Sequence, residues 1–522
     1  MNDAKTRPLS TWLLATGLLL TGFGNALATV RYVDVNSTNA TAPYSNWSIA
    51  AKTIQDAVDA AVAGDEIVVT NGLYAVGGRA VDAITNRVAV DKALSLRSVN
   101  GPQFTVIDGG ASVRCVYLTN GASLSGFTLT HGRAEVGGGL RCRSANTVVS
   151  NCVVSGNSSF DSSLFVIGSP CCGDYIPGLG VALSDHPYAG GVYGGTLYNC
   201  TLSDNWVETS VFGPGTGAYC SLTCVLTGGI GASYGTYYRL GAGGGAANAT
   251  LNNCILAGNR AVYGGGAYRC TLNNCTLTGN TAAYSRDGGQ AYGIGGGAYD
   301  SALNNCIIYF NTAADAPDYD PSSAPNYCCT TPQATNGFGN ITNAPLFVGT
   351  NGWSNLRLQS NSPCINAGRN AFAPAGLDLD GNPRIQGGTV DIGAYEFQNP
   401  ASQISYAWLQ QFGLPLDGSA DFTDPDSDGL SNWQEWRCLT DPTNALSALR
   451  LLKPLTAGTN VMVTWQSAPG LNYFLERSVT LADPRAFTLL ATNIPGQPGA
   501  TTYTDTNAVG HGPLFYRVRV GE

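Results

Sequence analysis

The sequence predicts an all-β chain: a right-handed parallel β-helix solenoid, then a short calcium-loop segment, then a C-terminal β-sandwich. Three observations predict it. One motif recurs through residues 151–311, the composition is rich in turn formers and poor in helix formers, and alternating strands take over near the C-terminus. With 67 Gly, 2 Met and only 12% charged residues among 522, the chain carries strand and turn material.

The best copy of the motif reads GGGAYRCTLNNCTLTGN and ends at Asn280; its relatives end at Asn157, Asn205, Asn259 and Asn311. In each, an Asn (Asn151, Asn199, Asn253, Asn274, Asn305) precedes a Cys (Cys152, Cys200, Cys254, Cys275, Cys306) and lies six residues before the terminal Asn. Two degenerate copies extend the array, Leu124–Leu129 with Gly126 in the Asn column and Cys220–Leu226. Column spacings of 21 to 31 residues, with one gap of 48, are those of a solenoid. Cys275 and Leu277 alternate with Thr276 and Thr278 as a strand requires, whereas Leu272 stands three residues before Cys275. The inward parity therefore slips at Asn273–Asn274, where a left-handed Asn would make a corner. Gly279–Asn280 and the run Gly264–Gly266 supply the other bends. Right-handed coiling follows from the chirality of parallel crossovers.

The first 28 residues read as a secretory signal peptide: Lys5 and Arg7, an apolar run from Trp12 to Leu20, and Ala26-Leu27-Ala28 as the cleavage site. No other segment approaches a membrane span, so no transmembrane anchor is expected in the mature chain. The full chain has 35 acidic and 26 basic residues; loss of Asp3, Lys5 and Arg7 leaves 34 and 24. That acidic balance, without a basic cluster, argues against nucleic acid as a partner. Cysteines of the repeat column are expected to stack inside the core as thiols, with cross-coil disulfides as the alternative, while Cys171-Cys172 and Cys328-Cys329 are the better disulfide candidates.

Four regions follow: the signal peptide 1–28, the β-helix 29–399, a calcium segment 400–445 and a sandwich 446–522. At the start of the helix, Ile54, Ala57, Val58 and Ala61 share one face at helical spacing, which suits a helix capping the open solenoid end. Stretches 158–190, 229–242 and 312–337 are too long for bends and read as insertions. The N-terminal half resembles exported bacterial proteins of the pectin-lyase-like β-helix superfold, and its GGGAY and GN repeats resemble those of polymorphic outer-membrane proteins. Ser362–Gly368, Leu377–Arg384 and Val390–Glu396 are similar to the closing motif of choice-of-anchor Q surface proteins. These resemblances imply fold and export; the superfold hosts lyases, hydrolases, adhesins and proteins without known activity.

Its enzymes place either a calcium-binding acidic cluster with a basic residue, or two to three aspartates, on the outward face of adjacent coils. Here the outward positions are mostly Thr, Ser, Asn and Tyr, and no catalytic residue is assigned. His131-Gly132-Arg133 reads as an exposed corner; Asp315, Asp318 and Asp320 could bind calcium or activate a water, although solvated loop acids are the plainer reading. Asp378, Asp380 and Asn382 could ligate a cation, although a turn with Arg384 paired to Asp391 or Glu396 is the plainer reading.

Asp424-Pro425-Asp426-Ser427-Asp428-Gly429, with Glu435 six residues after the glycine, matches the calcium-loop spacing throughout. Alternate carboxylates converge on a hard cation, Gly429 permits the turn, Leu430 offers its carbonyl, Asn432 stands where a water-mediated ligand is common, and Glu435 closes the site. A structural Ca2+ is the expected cofactor, against a charged turn without metal. With Trp408, Leu409 and Phe412 before the loop and Trp433 and Trp436 after it, the unit resembles a single EF-hand, a dockerin segment or a thrombospondin type 3 repeat. The strands from Val461 to Val520 resemble a fibronectin type III module. The expected role is adhesin-like binding or structure at the cell surface or outside it, with extracellular polysaccharide or surface components as partners. The alternatives are a polysaccharide lyase or glycoside hydrolase, whose Tyr234, Tyr237 and Tyr238 would stack on sugars, and a passenger of secretion machinery.

Overall fold

The computed structural model describes residues 28–160, 188–208, 241–283, 292–349, 353–482, 486–508 and 513–521, with the backbone of short strands at 211–212 and 237–238. The signal-peptide region, Cys171-Cys172, the Cys220–Leu226 copy and Tyr234 lie outside these residues, as does the side-chain placement of Tyr237 and Tyr238.

Each coil is a circuit of short strands. In one, Ala246–Ala247, Thr250–Asn252, Ile255–Ala257 and Arg260–Ala261 follow one another round the axis. Each pairs in parallel with its counterpart one coil later, at Ala267, Thr271, Thr276 and Thr281. Stacking these circuits produces sheets of ten, nine, eight and six strands, a parallel β-helix.

The corner column behaves as its chemistry demands. Asn151, Asn199, Asn253, Asn274 and Asn305 all hold φ of 50–52°, with Gly126 at 80°. That left-handed residue flips the parity, so Leu272, Cys275 and Leu277 are all fully buried. Cys152, Cys200, Cys254, Cys275 and Cys306 form a column within the main core. Cys328 extends it: its Sγ accepts the Cys306 amide as Cys275 Sγ accepts that of Cys254. All twelve described cysteines are free thiols. Cys328-Cys329 is therefore no disulfide pair, because alternation along an inward-facing strand sends one thiol into the coil core and the other to the outer face beside Cys364.

The glycine run and the terminal asparagines explain each other. Asn157, Asn205, Asn259, Asn280 and Asn311 are buried and form a ladder of amide-to-amide bonds of 2.9–3.0 Å. Asn280 is typical: Oδ1 accepts both the Asn259 N–H and its amide, while Nδ2 donates to Leu256 O and Asn311 Oδ1. Above it passes Gly266, where a Cβ would meet Gly297 O at 2.6 Å and Asn280 Cγ at 3.1 Å. A side chain fits there only at the cost of the ladder.

Stretch 312–337 is not a loop insertion. Thr312–Ala313, Ala324–Asn326 and Cys329–Thr330 join three of the sheets as a further coil. Its Ala316-Pro317-Asp318 stands where earlier coils have three glycines: Gly297 N donates to Pro317 O and Ala298 N to Asp318 O. No further asparagine lies beneath this last coil, so a side chain is admitted.

At the other end, α1 (Ile54–Ala60) buries Ile54, Ala57 and Val58 against the first coils, with Ala61 just beyond it. Thr53 caps it by accepting the Asp56 N–H. Gln55 accepts the Ala89 amide at 2.7 Å and donates to Ala89 O, which blunts a strand edge that would otherwise be open.

The closing segment packs along the side of the β-helix. Ile255, Ala257 and Ile307, on the outer face of the nine-stranded sheet, join Phe347, Leu358, Ile365, Ile392, Ile404 and Leu409 in a second core. The corner asparagines hold it there: Asn253 donates to Leu377 O, Asn274 to Asp391 O and Asn305 to Arg369 O, each at 2.9 Å. Helices α2 (Tyr406–Gln411) and α3 (Asn432–Cys438) extend the same core through Trp408, Trp433 and Trp436. Finally, two three-stranded antiparallel sheets enclose Val463, Trp465, Tyr473 and Leu475 as a sandwich.

Candidate metal centre

Residues 424–435 form a tight loop that leads into α3. Gly429, at φ 96°, and Ser427, at 61°, turn the backbone in a way that side chains resist, and the Cβ position at Gly429 faces open space. Asp424 accepts the amides of Asp428 and Gly429, and Asp428 Oδ1 accepts that of Leu430. These bonds bring one oxygen from each of Asp424, Asp426 and Asp428 within 4.8 Å of one another. At α3, Ser431 and Gln434 make a capping box, so the helix starts where Glu435 can face back toward the loop.

The electrostatics of this cluster are uncompensated. Asp426 Oδ2, Asp428 Oδ2 and Glu435 Oε2 are buried without a hydrogen-bond partner. Arg450 approaches Asp428 only to 3.7 Å, itself half exposed. Glu435 is fully buried, and desolvation together with Asp426 and Asp428 pushes its carboxyl up to about 7. Unpaired oxygens on the converging aspartates, with a third on Glu435 close enough to feel their charge, are expensive without a cation and natural with one. The donor set is all oxygen, which suits Ca2+. Asp424, Asp426, Asp428 and Glu435 thus fit the expected group. Asn432 is fully buried as well: its Nδ2 donates to Ala420 O at 2.8 Å and to Thr423 Oγ1, tying the start of α3 to the segment before the loop, while its Oδ1 has no partner and stays free for the water-mediated contact expected of it.

Of the remaining acids of interest, Asp315 is exposed and its side chain makes no hydrogen bond to the described residues, as expected of a solvated acid, whereas the others are engaged as structure. Asp318 Oδ1 accepts Asn311 N–H and Nδ2, and Oδ2 accepts the Thr331 hydroxyl at 2.7 Å. Asp320 accepts the Asp300 amide and the Ser323 hydroxyl. These two are buried, not the solvated loop acids their neighbourhood of small polar residues suggested, because the stretch is a coil of the helix. Asp378 accepts the amides of Asp380, Asn382 and Glu396 and so staples the turn, while Asp380 pairs with Arg357. Asp391 accepts Asn366 N and Phe397 N; Glu396 accepts Gln386 N and Asp391 N. Burial raises both of these carboxyls above their usual range. Arg384 reaches Glu396 only at 3.8 Å and spends its closer bonds on Gly393 O and Ala394 O, at 2.6 and 2.9 Å. Its main role is to satisfy carbonyls of the closing turn.

His131 is exposed at a left-handed corner, φ 51°, with Nδ1 3.1 Å from Asp108. Arg133 is bidentate to Glu208. Two carboxylates do meet cations where Arg79 bridges Asp59 and Asp91 beside Lys92, but Lys92 donates to Val58 O and Ala61 O and so caps the end of α1. A hydropathic signal for the sideways packing was present in Ile255, Ala257 and Ile307, apolar residues at outward positions of a strand.

No protein-family model matches the chain, and no curated protein is significantly similar to it. Among solved structures, the crystal structure of pectate lyase Pel9A aligns at 15% identity over 71% of this chain and 96% of its own, with a TM-score of 0.31. The crystal structure of Escherichia coli ybhc aligns at 14% identity over 61% of this chain and 78% of its own, with a TM-score of 0.27. Likenesses this distant transfer no activity, and the assignment of a parallel β-helix rests on the chain's own strand ladders.

Proposed function

We propose that this chain is an exported binding protein of the cell surface or its surroundings, in which the β-helix is a scaffold and no residue is catalytic. The observation that carries this reading is the occupation of the acids: Asp318, Asp320, Asp378, Asp391 and Glu396 are each committed to backbone or side-chain donors of the fold, which leaves Asp315 as the exposed, uncommitted acid of this group. A general acid or base needs a free oxygen facing a substrate. Much of one outer face of the later coils is also covered by the closing segment, which removes it as a substrate platform. Export is proposed from residues 1–28. Extracellular polysaccharide or surface components are the proposed partners, in keeping with a chain of net charge −9 that lacks a basic cluster.

A structural Ca2+ is proposed at Asp424, Asp426, Asp428 and Glu435, with the Leu430 carbonyl completing the shell. The metal would neutralise the cluster and fix the start of α3, acting as a local staple. The test of function is direct. Purified protein with Ca2+ is incubated with polygalacturonate, alginate and neutral polysaccharides, and both products and retention on insoluble polymer are measured. Retention without products is expected. Reproducible release of unsaturated or reducing sugars, lost in an Asp315→Asn or Asp318→Asn variant, would overturn the reading in favour of a polysaccharide lyase or hydrolase.

A further inference from the structure

A cleft of about 490 Å³ opens where the last coil, the closing segment and both helices of the calcium segment meet. Its volume falls within the range of small-ligand sites. Its walls differ from the rest of this acidic chain, because no lining residue carries a charge. Trp408 from α2 and Trp436 from α3 supply apolar rings, and Tyr327 from the last coil lines the cleft as well, its own ring flanked by Arg369 and Phe372. Both indoles are half-buried, with one side held in the second core. Around them stand primary amides: Gln333, Asn343 and Gln411 are exposed, and their side chains make no hydrogen bond to the described residues. Asn366 also lines the cleft; it is fully buried and its Oδ1 has no partner, while its Nδ2 is spent on Ser402 O.

We propose that this cleft binds an uncharged saccharide chain, an inference that rests on the binding role argued above. The chemistry selects that class. A pyranose ring offers a C–H face that packs on an indole and a rim of hydroxyls that both donate and accept. Primary amides do the same, so they match hydroxyls without fixing a charge. Arg369 is not among the lining residues and already donates to the hydroxyl of Tyr327 at 2.9 Å, so a uronate, a phosphate or a peptide terminus would meet no cation in the walls themselves and would lose hydration largely uncompensated. The wall formed by Trp436 follows Glu435 directly in α3, so the cation loop sets the position of one side of the cleft.

The test uses the full chain in Ca2+ with cello-, xylo-, manno- and malto-oligosaccharides, and an oligogalacturonate of equal length as the charged control. Tryptophan fluorescence and calorimetry report binding. At least one neutral series is expected to bind and to perturb the fluorescence, with the oligogalacturonate clearly weaker. Trp408→Ala should weaken binding about tenfold or more. Because Trp408 also serves the core, Gln333→Ala combined with Asn343→Ala provides an exposed pair whose loss cannot unfold the protein, and it should weaken binding several-fold. Binding of a neutral glycan that survives both sets of substitutions sinks the cleft and leaves the binding role standing. Equal binding of the oligogalacturonate sinks the assignment to uncharged chains. No binding to any oligosaccharide or insoluble polysaccharide sinks the cleft and the polysaccharide partner together.

Discussion

Asn311 donates its side-chain amide to Asp318 Oδ1 at 3.0 Å, and with that bond the asparagine ladder of the β-helix ends on an acid. The same oxygen accepts the Asn311 backbone N–H, so one carboxylate oxygen performs what the next asparagine would have done. Asp318→Ala is expected to leave two buried donors unpaired and to destabilise the β-helix by about 2–4 kcal/mol, read as an earlier denaturant midpoint. A stability equal to that of the parent would show that the ladder does not need its terminus.

Inside the ladder the demand is stricter. Asn280→Asp keeps the shape but cannot donate, so it sets a carboxylate against Leu256 O and Asn311 Oδ1 in a buried site. We expect a loss of about 3 kcal/mol or more, greater than for Asp318→Ala. Gly266→Ala should be comparably damaging, since its Cβ would sit 2.6 Å from Gly297 O. Differential scanning calorimetry of the three variants ranks them, and an Asn280→Asp protein as stable as the parent would refute the role given to the amide.

These residues show what the sequence made legible. The αL corners at Asn274 and its equivalents, the inward cysteines and the α1 face followed from spacing, because periodicity survives in one dimension. Gly264–Gly266 and Gly279–Asn280 were recognised as bends, yet their packing on each other was not, since residues more than a dozen positions apart meet only after coiling. The coil around Asp318 was hidden for a related reason: the end of a stack lifts the steric rule that requires glycine, so the motif loses its signature where its job changes. Likewise the loop acids 424–435 were plain from spacing, whereas the uncharged cleft beside them joins Tyr327, Trp408 and Trp436 from three separate segments.

The cysteine column predicts a labelling pattern. Full burial raises the Cys152, Cys200, Cys275 and Cys328 thiols, which keeps them protonated and unreactive at neutral pH. Alkylation of the native protein followed by peptide mass spectrometry should leave these four unmodified, with Cys438, the partly exposed one among the described cysteines, reacting first of that set. After denaturation without reductant all twelve described cysteines should label, Cys329 included. Failure of Cys328 and Cys329 to label even then would mean they are oxidised, contrary to their separate burial in two cores.

The proposed calcium loop predicts opposite pH responses with and without metal. The metal-free Glu435 carboxyl lies near 7, raised above its ordinary value of 4.5 by burial and by Asp426 and Asp428. A raised carboxyl means that the folded state holds the proton more tightly than the unfolded one. Its stabilising contribution is therefore complete below 4.5 and is lost as the pH climbs through about 7. In chelator, residues 400–445 should accordingly become more sensitive to proteolysis between those limits. With Ca2+ the sign reverses, because the cation takes the carboxylate and must displace the proton. Affinity measured by calorimetry should rise with pH up to about 7, by at most about tenfold per unit, and Glu435→Gln should flatten that rise while weakening binding. Replacing Asp424 and Asp428 by Ala should abolish binding and leave the strand signal of the β-helix unchanged in circular dichroism. Equal protease resistance with and without chelator across this range would leave the cluster as a charged turn and remove the metal from the account.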